Sequence, residues 1–188
     1  SEEYHYFQYI ASDKPLSKIR WDENDMLFES DIDDAMQALL KKNYEDNCAK
    51  RPDIAIFNTE GSLIIIEFKA PGVSLDEHTG DLMEYAQLLT AKSKGRLKKV
   101  YGYLLGTDLN ANRIRGYTRF PSGKGWFGTE EIREHSTNTR LGELYSEILF
   151  YDDLVDRANQ RLEVYKARLG IDWSAAPPAN EETPPAAA

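Results

Sequence analysis

Residues 51–72 read RPDIAIFNTEGSLIIIEFKAPG, two apolar runs joined by a short polar link that contains a glycine. The link, residues 58–62, has the length and the residue types of a hairpin turn. The second run has isoleucine at positions 64, 65 and 66. Such a continuous β-branched stretch is typical of a central strand that is covered on both faces. The sequence therefore predicts a β-hairpin in the middle of a sheet.

Charged side chains stand at one end of this hairpin. Asp53 enters the first strand, whereas Glu67 and Lys69 leave the second. Because side chains alternate between the two faces of a strand, Glu67 and Lys69 are expected to share one face while Phe68 points to the other. The pattern predicts two carboxylates and one ammonium at the end of the most hydrophobic strand.

This combination, Pro52-Asp53 followed at hairpin distance by Glu67-Phe68-Lys69, resembles the signature of the PD-(D/E)xK nuclease superfamily. An acidic-x-lysine triplet arises by chance on the order of once in a chain of this length. Here the triplet occurs once, at the end of the most hydrophobic strand candidate. The resemblance implies an α/β (α+β) fold of the restriction-endonuclease-like type, a mixed β-sheet flanked by helices. Within the superfamily, residues 66–71 and 150–162 are similar to the nuclease domain of Shedu-type antiphage defence proteins.

The resemblance also implies a metal site and a set of catalytic residues. Asp53, Glu67 and the backbone carbonyl of Phe68 would bind Mg²⁺, for which Mn²⁺ can substitute, and Lys69 would hold the attacking water. Hard Mg²⁺ prefers carboxylate and water oxygens, in agreement with these ligands. The single cysteine and the three scattered histidines argue against zinc.

A helix is predicted over residues 30–42, because apolar side chains recur at helical spacing and acidic residues crowd its first turn. In the resembled superfamily, a helix ahead of the aspartate strand often supplies another acidic ligand. We favour Glu29, one turn before Ile32 on the buried side. The other candidate, Asp33, has a competing role as the capping-box partner of Ser30.

A second helix is predicted from Asp81 to Lys92, where apolar residues again recur at helical spacing. In the resembled superfamily, the helix after the lysine strand often carries a glutamine near the active site. Gln87 occupies that position and completes the predicted catalytic set with Asp53, Glu67 and Lys69; an exposed helical glutamine is the alternative. His78 could also reach the site, although a loop histidine is more often only solvated.

The densest basic run of the chain follows this helix, and it is the predicted contact to double-stranded DNA. The formal net charge of −9 excludes a uniformly basic surface, but DNA affinity depends on local basic patches. A solvated loop is the alternative interpretation. The predicted DNA-binding residues are Lys92, Lys94, Arg96, Lys98 and Lys99.

Three segments are predicted: an aromatic arm or short strands over residues 1–28, the nuclease domain over 29–171, and a disordered tail rich in proline and alanine over 172–188. Aromatic residues of the arm, such as Trp21, more often pack than stack on bases. Strands are expected near residues 100–105 and 114–120, and a long amphipathic helix over 151–169. That helix is expected to pack on the sheet or on a partner subunit, so we expect a homo-oligomer.

One cysteine, no secretion leader and no long apolar run predict a cytoplasmic protein that does not enter the membrane. The expected function is a metal-dependent DNA endonuclease that acts against phage or foreign DNA. In the first alternative, Asp53, Glu67 and Lys69 form only a strand-end salt bridge in an inactive nuclease-fold module that binds DNA or serves assembly. In the second, the chain is a protein-interaction domain. Because Lys69 ends a strand, the sequence predicts that Lys69→Ala would preserve the fold.

Overall fold

The computed structural model of the chain describes residues 7–10, 16–42 and 53–170. Within these ranges seven strands form one sheet in the order β1-β2-β3-β4-β7-β6-β5. The strands are β1 (Phe7–Ile10), β2 (Ile54–Asn58), β3 (Ser62–Phe68), β4 (Lys99–Gly106), β5 (Thr118–Arg119), β6 (Trp126–Arg133) and β7 (Arg140–Phe150). The helices are α1 (Ile32–Lys42), α2 (Thr79–Lys92) and α3 (Tyr151–Leu169), with 3₁₀ turns at Leu16–Lys18 and Leu75–His78. The predicted mixed α/β fold is confirmed.

The predicted hairpin is formed by β2 and β3, which pair antiparallel with Ile54 opposite Ile66. Its turn is closed by a hydrogen bond of 3.1 Å from the Gly61 amide to the Asn58 carbonyl. Gly61 has φ +86°, and a Cβ there would lie 2.5 Å from the carbonyl oxygen of Arg96. Only glycine combines this left-handed backbone with so close an approach, so the glycine in the link is required by the turn.

The sheet is mixed because two of its pairs of neighbouring strands are parallel. Strand β3 runs parallel to β4, and β4 runs parallel to β7, whereas the remaining pairs are antiparallel. Parallel neighbours need a crossover, and α2 provides it between β3 and β4. Helix α2 therefore begins where β3 ends and finishes where β4 begins. Because β3, β4 and β7 run in the same direction, their carboxyl ends lie together on one side of the sheet. We call that side the carboxyl edge, and the side where these strands begin the amino edge.

Side chains of β3 alternate in burial as the strand period requires. Leu63 and Ile65 are fully buried, whereas Ile64 and Ile66 are half-buried. Helix α2 lies on the buried face. Gly102 is the β4 neighbour of Ile65, and a Cβ added at Gly102 would come within 3.0 Å of Leu82, a residue of α2. Within the described residues the second face is only partly shielded, so the prediction that both faces of this strand are covered is confirmed only for the face beneath α2.

Part of the predicted aromatic arm belongs to the sheet and the core. Strand β1 pairs with β2, and Leu27 and Phe28 are at most 1% exposed. Trp21 stacks on Phe57 with their ring centroids 6.2 Å apart, which favours packing over base stacking as its role. Other residues of the arm, including Tyr4 and Tyr6, lie outside the described residues, as does the predicted tail 172–188.

Contacts along the chain divide it into two compact units, Ser1–Asp153 and Leu154–Ala188. The first contains the sheet with α1 and α2, and the second contains most of α3. This division comes earlier in the chain than the predicted boundary at residue 171. Among the helices in the described ranges, none has both the length and the apolar character that a membrane crossing requires.

Candidate active site at the carboxyl edge

A buried ion pair lies at the end of β3. Lys69 Nζ is 2.7 Å from Glu67 Oε1, and the two side chains are 7% and 3% exposed. Glu67 continues the buried face of Leu63 and Ile65, so its carboxylate is directed beneath α2, where water is excluded. The alternation of the strand thus brings Glu67 and Lys69 together as predicted. The hydrophobic strand places a charged pair inside the protein, not at its surface.

The first turn of α2 contributes an acid that the sequence reading did not assign to the site. Asp81 Oδ2 is 3.6 Å from Lys69 Nζ and 2.9 Å from His78 Nδ1. Because α2 starts at the carboxyl edge, its first turn stands directly beside the end of β3. His78 therefore does reach the cluster, through Asp81. The sequence did contain a signal for this contact. A helix that follows a strand in a crossover begins beside the end of that strand, and this places Asp81 near Lys69.

Two buried oxygens of this cluster have no hydrogen-bond partner among the described residues: Glu67 Oε2 and the Tyr85 hydroxyl. Burial raises the pKa of the Glu67 carboxyl above its usual value, the hydrogen bond from Lys69 opposes this, and the charges of Asp53 and Asp81 add to it. Burial also raises the pKa of Tyr85, and the negative charge of Glu67 reinforces that shift. Such orphaned buried atoms are costly, which makes them candidates for binding a cation or a solvent molecule.

Asp53 lies at the same strand end, but on the solvent side. Its Oδ2 accepts a hydrogen bond of 2.7 Å from the backbone amide of Phe68. This bond fixes the start of the first hairpin strand beside the residue between Glu67 and Lys69. The Tyr151 hydroxyl donates to the Lys69 carbonyl at 2.7 Å and holds the strand end from the other direction. Asp53, Glu67 and Lys69 are thus held at one end of the hairpin, as the sequence predicts.

Gln87 is half-buried on α2 and is not on the side of the helix that carries Asp81. Six residues separate the two, which places Gln87 roughly 120° around the helix axis and ~9 Å further along it. Asp81 and Tyr85, one turn apart, are the α2 residues that interact with Lys69 and Glu67. Asp81 is thus an α2 residue that contacts the ion pair, and the role of Gln87 stays a prediction.

Glu29 is not brought to Glu67 either. Its carboxylate lies 3.4 Å from Lys92 Nζ, and its amide donates to the Lys92 carbonyl at 2.8 Å. Lys92 ends α2 at the amino edge, eleven residues after Asp81 and so about 16 Å away at 1.5 Å per residue. The alternative ligand, Asp33, accepts hydrogen bonds from the Leu16 and Ser17 amides, which ties the preceding segment to α1. This contact replaces its predicted capping role.

The predicted DNA-binding run also lies at the amino edge, and three of its five cations have carboxylate partners. Lys92 contacts Asp31 at 2.7 Å, and Lys94 contacts Asp25 at 3.0 Å. Arg96 pairs with the same Asp25, and hydrogen bonds from Arg96 and Lys94 lower the pKa of Asp25 to about 2. The positive charge of this run is therefore largely used to fasten residues 25–31 to the end of α2.

Lys98 and Lys99, the other two cations of the run, are exposed. They sit where β4 begins, and the Gly61 carbonyl accepts hydrogen bonds from both of their amides. They are accordingly next to the hairpin turn, at the end of β3 that is remote from Glu67. Sequence reasoning found the cluster of cations but had no signal for the edge on which it would lie.

Cations at the carboxyl edge come instead from the loop that follows β4. Buried Asp76 accepts a hydrogen bond of 3.0 Å from the Asn110 amide and lies 3.4 Å from the Arg113 guanidinium. The Leu75 amide donates to the Asp108 carbonyl at 2.8 Å, so the loop after β3 and the loop after β4 are joined. Arg119, in the short strand β5 that follows this loop, is exposed and lies at the carboxyl edge, because it pairs with Trp126 and Trp126 pairs with Ile148 near the end of β7.

The donor set at the strand end fits a hard divalent cation. Within the described ranges, no group of three or more His, Cys, Asp and Glu side chains converges to enclose a metal. Mg²⁺, however, is usually held by one or two carboxylates while it keeps several waters and takes substrate phosphate oxygens. Asp53 and Glu67, with the free Oε2 of Glu67 and the carbonyl of Phe68, the residue after Glu67, meet that requirement.

Comparisons of the chain with protein-family models, with curated proteins and with solved structures find no match. The chemistry of the site is therefore argued from its own residues. They offer a buried carboxylate–ammonium pair, an exposed carboxylate fixed to the backbone, and a histidine–aspartate contact, all at the edge where the strands end.

Proposed function

We propose that this protein is a metal-dependent DNA endonuclease of the PD-(D/E)xK type. The observation that carries the proposal is the buried Glu67–Lys69 pair with Asp53 on the neighbouring strand end. The resemblance of the motif supports it, as does a hairpin followed by a crossover helix in a mixed sheet, which is consistent with a restriction-endonuclease-like fold. A charged pair at the end of an apolar strand costs desolvation, which a purely structural salt bridge rarely recovers.

In this proposal Asp53, Glu67 and the Phe68 carbonyl hold Mg²⁺ or Mn²⁺. When bound, the metal neutralises phosphate charge and makes hydroxide available near neutral pH. Glu67 has an oxygen ready for this role, because only its Oε1 is engaged by Lys69. The bound cation would also offset the burial that raises the pKa of Glu67, so the carboxylate is kept ionised.

Lys69 supplies positive charge beside the scissile phosphate. Its ammonium is held by Glu67 and Asp81, so it is oriented before substrate arrives and needs little reorganisation during the reaction. An ammonium in a water-excluded site stabilises negative charge that grows on the phosphoryl oxygens more strongly than it would in water. The imidazole of His78 stands beside the same cluster, with its Nδ1 2.9 Å from Asp81 Oδ2.

The substrate is proposed to be double-stranded DNA, contacted at the carboxyl edge through the exposed Arg119. The amino-edge cations have carboxylate partners or face away from Glu67, so the predicted contact through residues 92–99 is not retained. The similarity to Shedu-type proteins makes defence against phage or foreign DNA, in the cytoplasm, the proposed setting.

A plasmid-cutting assay tests the proposal. The chain is incubated with supercoiled and linear DNA in Mg²⁺, in Mn²⁺ and in chelator, beside Glu67→Gln and a matched Glu60→Gln control. Glu60 is an exposed residue of the hairpin turn, so this variant changes the same charge at the far end of the same hairpin. We expect metal-dependent cutting that Glu67→Gln reduces by about 100-fold or more and that Glu60→Gln leaves unchanged.

Cutting that persists in chelator, or that survives Glu67→Gln, would contradict this site. A folded chain that binds DNA in a salt-dependent way and does not cut would support the inactive DNA-binding module instead. A folded chain that neither binds nor cuts would leave the protein-interaction domain as the remaining function.

DNA binding should depend on the carboxyl edge more than on the amino edge. We expect Arg119→Ala to weaken binding across all sequences and to reduce the slope of log affinity against log salt by about one, because one phosphate contact is lost. Lys99→Ala removes an exposed cation at the amino edge and should leave both quantities unchanged. Titration by fluorescence anisotropy at several salt concentrations measures both, and the reverse pattern would return the DNA contact to the amino edge.

A further inference from the structure

Helix α3 has an apolar seam with the spacing of a coiled coil. Its apolar positions follow one another at intervals of three, four, three and four residues, the repeat that keeps one stripe of a helix facing a partner helix. The seam is distinct from the buried cluster at the carboxyl edge and takes no part in the proposed chemistry. The seam residues are Val155, Ala158, Leu162, Tyr165 and Leu169.

The seam is exposed. Val155, Leu162, Tyr165 and Leu169 are 59%, 48%, 62% and 68% exposed, and no residue of α3 is buried within the described part of the chain. Large apolar side chains repeated on one stripe of a helix in this way are typical of an association surface. An amphipathic helix is ordinarily stabilised by packing of that stripe, so a partner is expected.

The charges beside the seam decide which partner orientation is favourable. Asp152, Asn159 and Lys166 flank it on one side, and Arg161 and Arg168 on the other. In a parallel pair of two copies, Arg161 of each helix would lie beside Lys166 of the other, which places like charges together twice. In an antiparallel pair, Asp152 of each copy lies beside Lys166 of the other, which gives two contacts between opposite charges. The one like-charge contact is between the two copies of Arg161 at the two-fold axis.

The seam side chains also match in size when the pair is antiparallel. In this register Ala158 lies opposite Leu162 of the other copy, and Val155 lies opposite Tyr165. Small side chains then face large ones, which allows the two helices to interdigitate without voids. Because each contact is repeated by the symmetry axis, the same surface serves on both copies.

We propose that α3 joins two copies of this chain as an antiparallel helix pair through the seam Val155, Ala158, Leu162, Tyr165 and Leu169. The partner is a second copy of the chain, and the pairing does not depend on the proposed nuclease activity. The seam covers about 21 Å of helix at 1.5 Å per residue, which is short, so the association is reversible and depends on protein concentration.

Sedimentation velocity of the full chain over a concentration series tests the pairing, with Leu162→Glu compared with Val164→Glu. Both variants place the same charge in the same turn of α3, but Val164, which is 53% exposed, lies off the seam. We expect the chain to dimerise and Leu162→Glu to raise the dimer dissociation constant at least about tenfold, or about 1.4 kcal/mol, with little effect of Val164→Glu. Arg161→Gln should tighten the dimer, because it removes the like-charge contact at the axis.

The orientation is tested by crosslinking. In a Cys48→Ser background, Asn159→Cys carries the sole thiol of the chain. Its two copies meet near the axis of an antiparallel pair and should form a disulfide-linked dimer on mild oxidation, whereas a parallel pair holds them on opposite sides. A chain that is monomeric at every concentration, a dimer that both glutamate variants weaken equally, or a dimer that Asn159→Cys does not crosslink would each overturn the proposal.

Discussion

Lys69→Ala is expected to abolish DNA cutting and, in addition, to destabilise the protein by about 3–5 kcal/mol, the cost of removing one partner of a buried ion pair. The sequence alone predicted that the fold would tolerate this change, because Lys69 ends a strand. Its side chain is instead 7% exposed and bonded to Glu67, which is more deeply buried. Removing the ammonium leaves the Glu67 carboxylate inside the protein without the one hydrogen-bond donor that it has among the described residues.

Denaturant unfolding of Lys69→Ala beside Lys98→Ala measures this effect, since Lys98 is an exposed lysine just before β4. The loss should also depend on pH. Burial already raises the pKa of Glu67 above 4.5, and losing Lys69 raises it further. Above that pKa the carboxylate is charged and the full loss is present; as the pH falls through it, Glu67 takes up a proton and the loss shrinks. A loss that is equal for both variants, or that grows in acid, would show that the pair does not stabilise the fold.

Gly142→Ala is expected to destabilise the protein by about 3 kcal/mol, at the upper end of the usual cost of overpacking. A Cβ at Gly142 would lie 2.3 Å from the carbonyl oxygen of Lys98 and 2.9 Å from its carbonyl carbon. These are backbone atoms, and the same carbonyl accepts the Glu143 amide at 2.9 Å, so no flexible side chain can move aside. Strand β7 would have to shift away from β4.

Gly80→Ala serves as the matched control, because a Cβ at Gly80 meets nothing within 4 Å. Gly80 lies in α2, where alanine is the better helix former, so this variant should be neutral or more stable by up to about 1 kcal/mol. Thermal or denaturant unfolding of both variants gives the comparison. Equal stability of the two would mean that the start of β7 can relax without cost.

The elements that could be predicted are those whose sequence carries a clear apolar stripe or face. The hairpin, the strand after α2 and helix α3 each follow from periodicity, since one stripe or face is apolar and turn residues mark the ends. Strands β6 and β7 were missed because glutamates alternate with aromatic and small residues on their partly exposed face, as at Glu143 and Glu147. The fourth predicted strand, 114–120, is reduced to Thr118–Arg119.

The part of the candidate site that could be predicted is the part that the geometry of a strand and its hairpin partner determines. Alternation along β3 is sufficient to pair Glu67 with Lys69, and the hairpin register is sufficient to bring Asp53 near them. Whether a more distant residue belongs to the site depends on whether its segment lies at the carboxyl edge or at the amino edge. This applies to Asp81, Glu29 and the cations of residues 92–99. Lys92 and Asp31 are sixty-one residues apart in the chain. A charge pattern shows how many such groups exist but not which of them meet in space.

The order of the strands has a consequence for aggregation. The two outermost strands of the sheet within the described residues, β1 and β5, are four and two residues long, whereas the central β3, β4 and β7 are seven, eight and eleven. An incoming strand from another molecule would therefore find few free backbone groups to pair with, while the run of isoleucines in β3 is enclosed between neighbours. We therefore expect any association between copies of this chain to use side chains and not the pairing of strands from two copies.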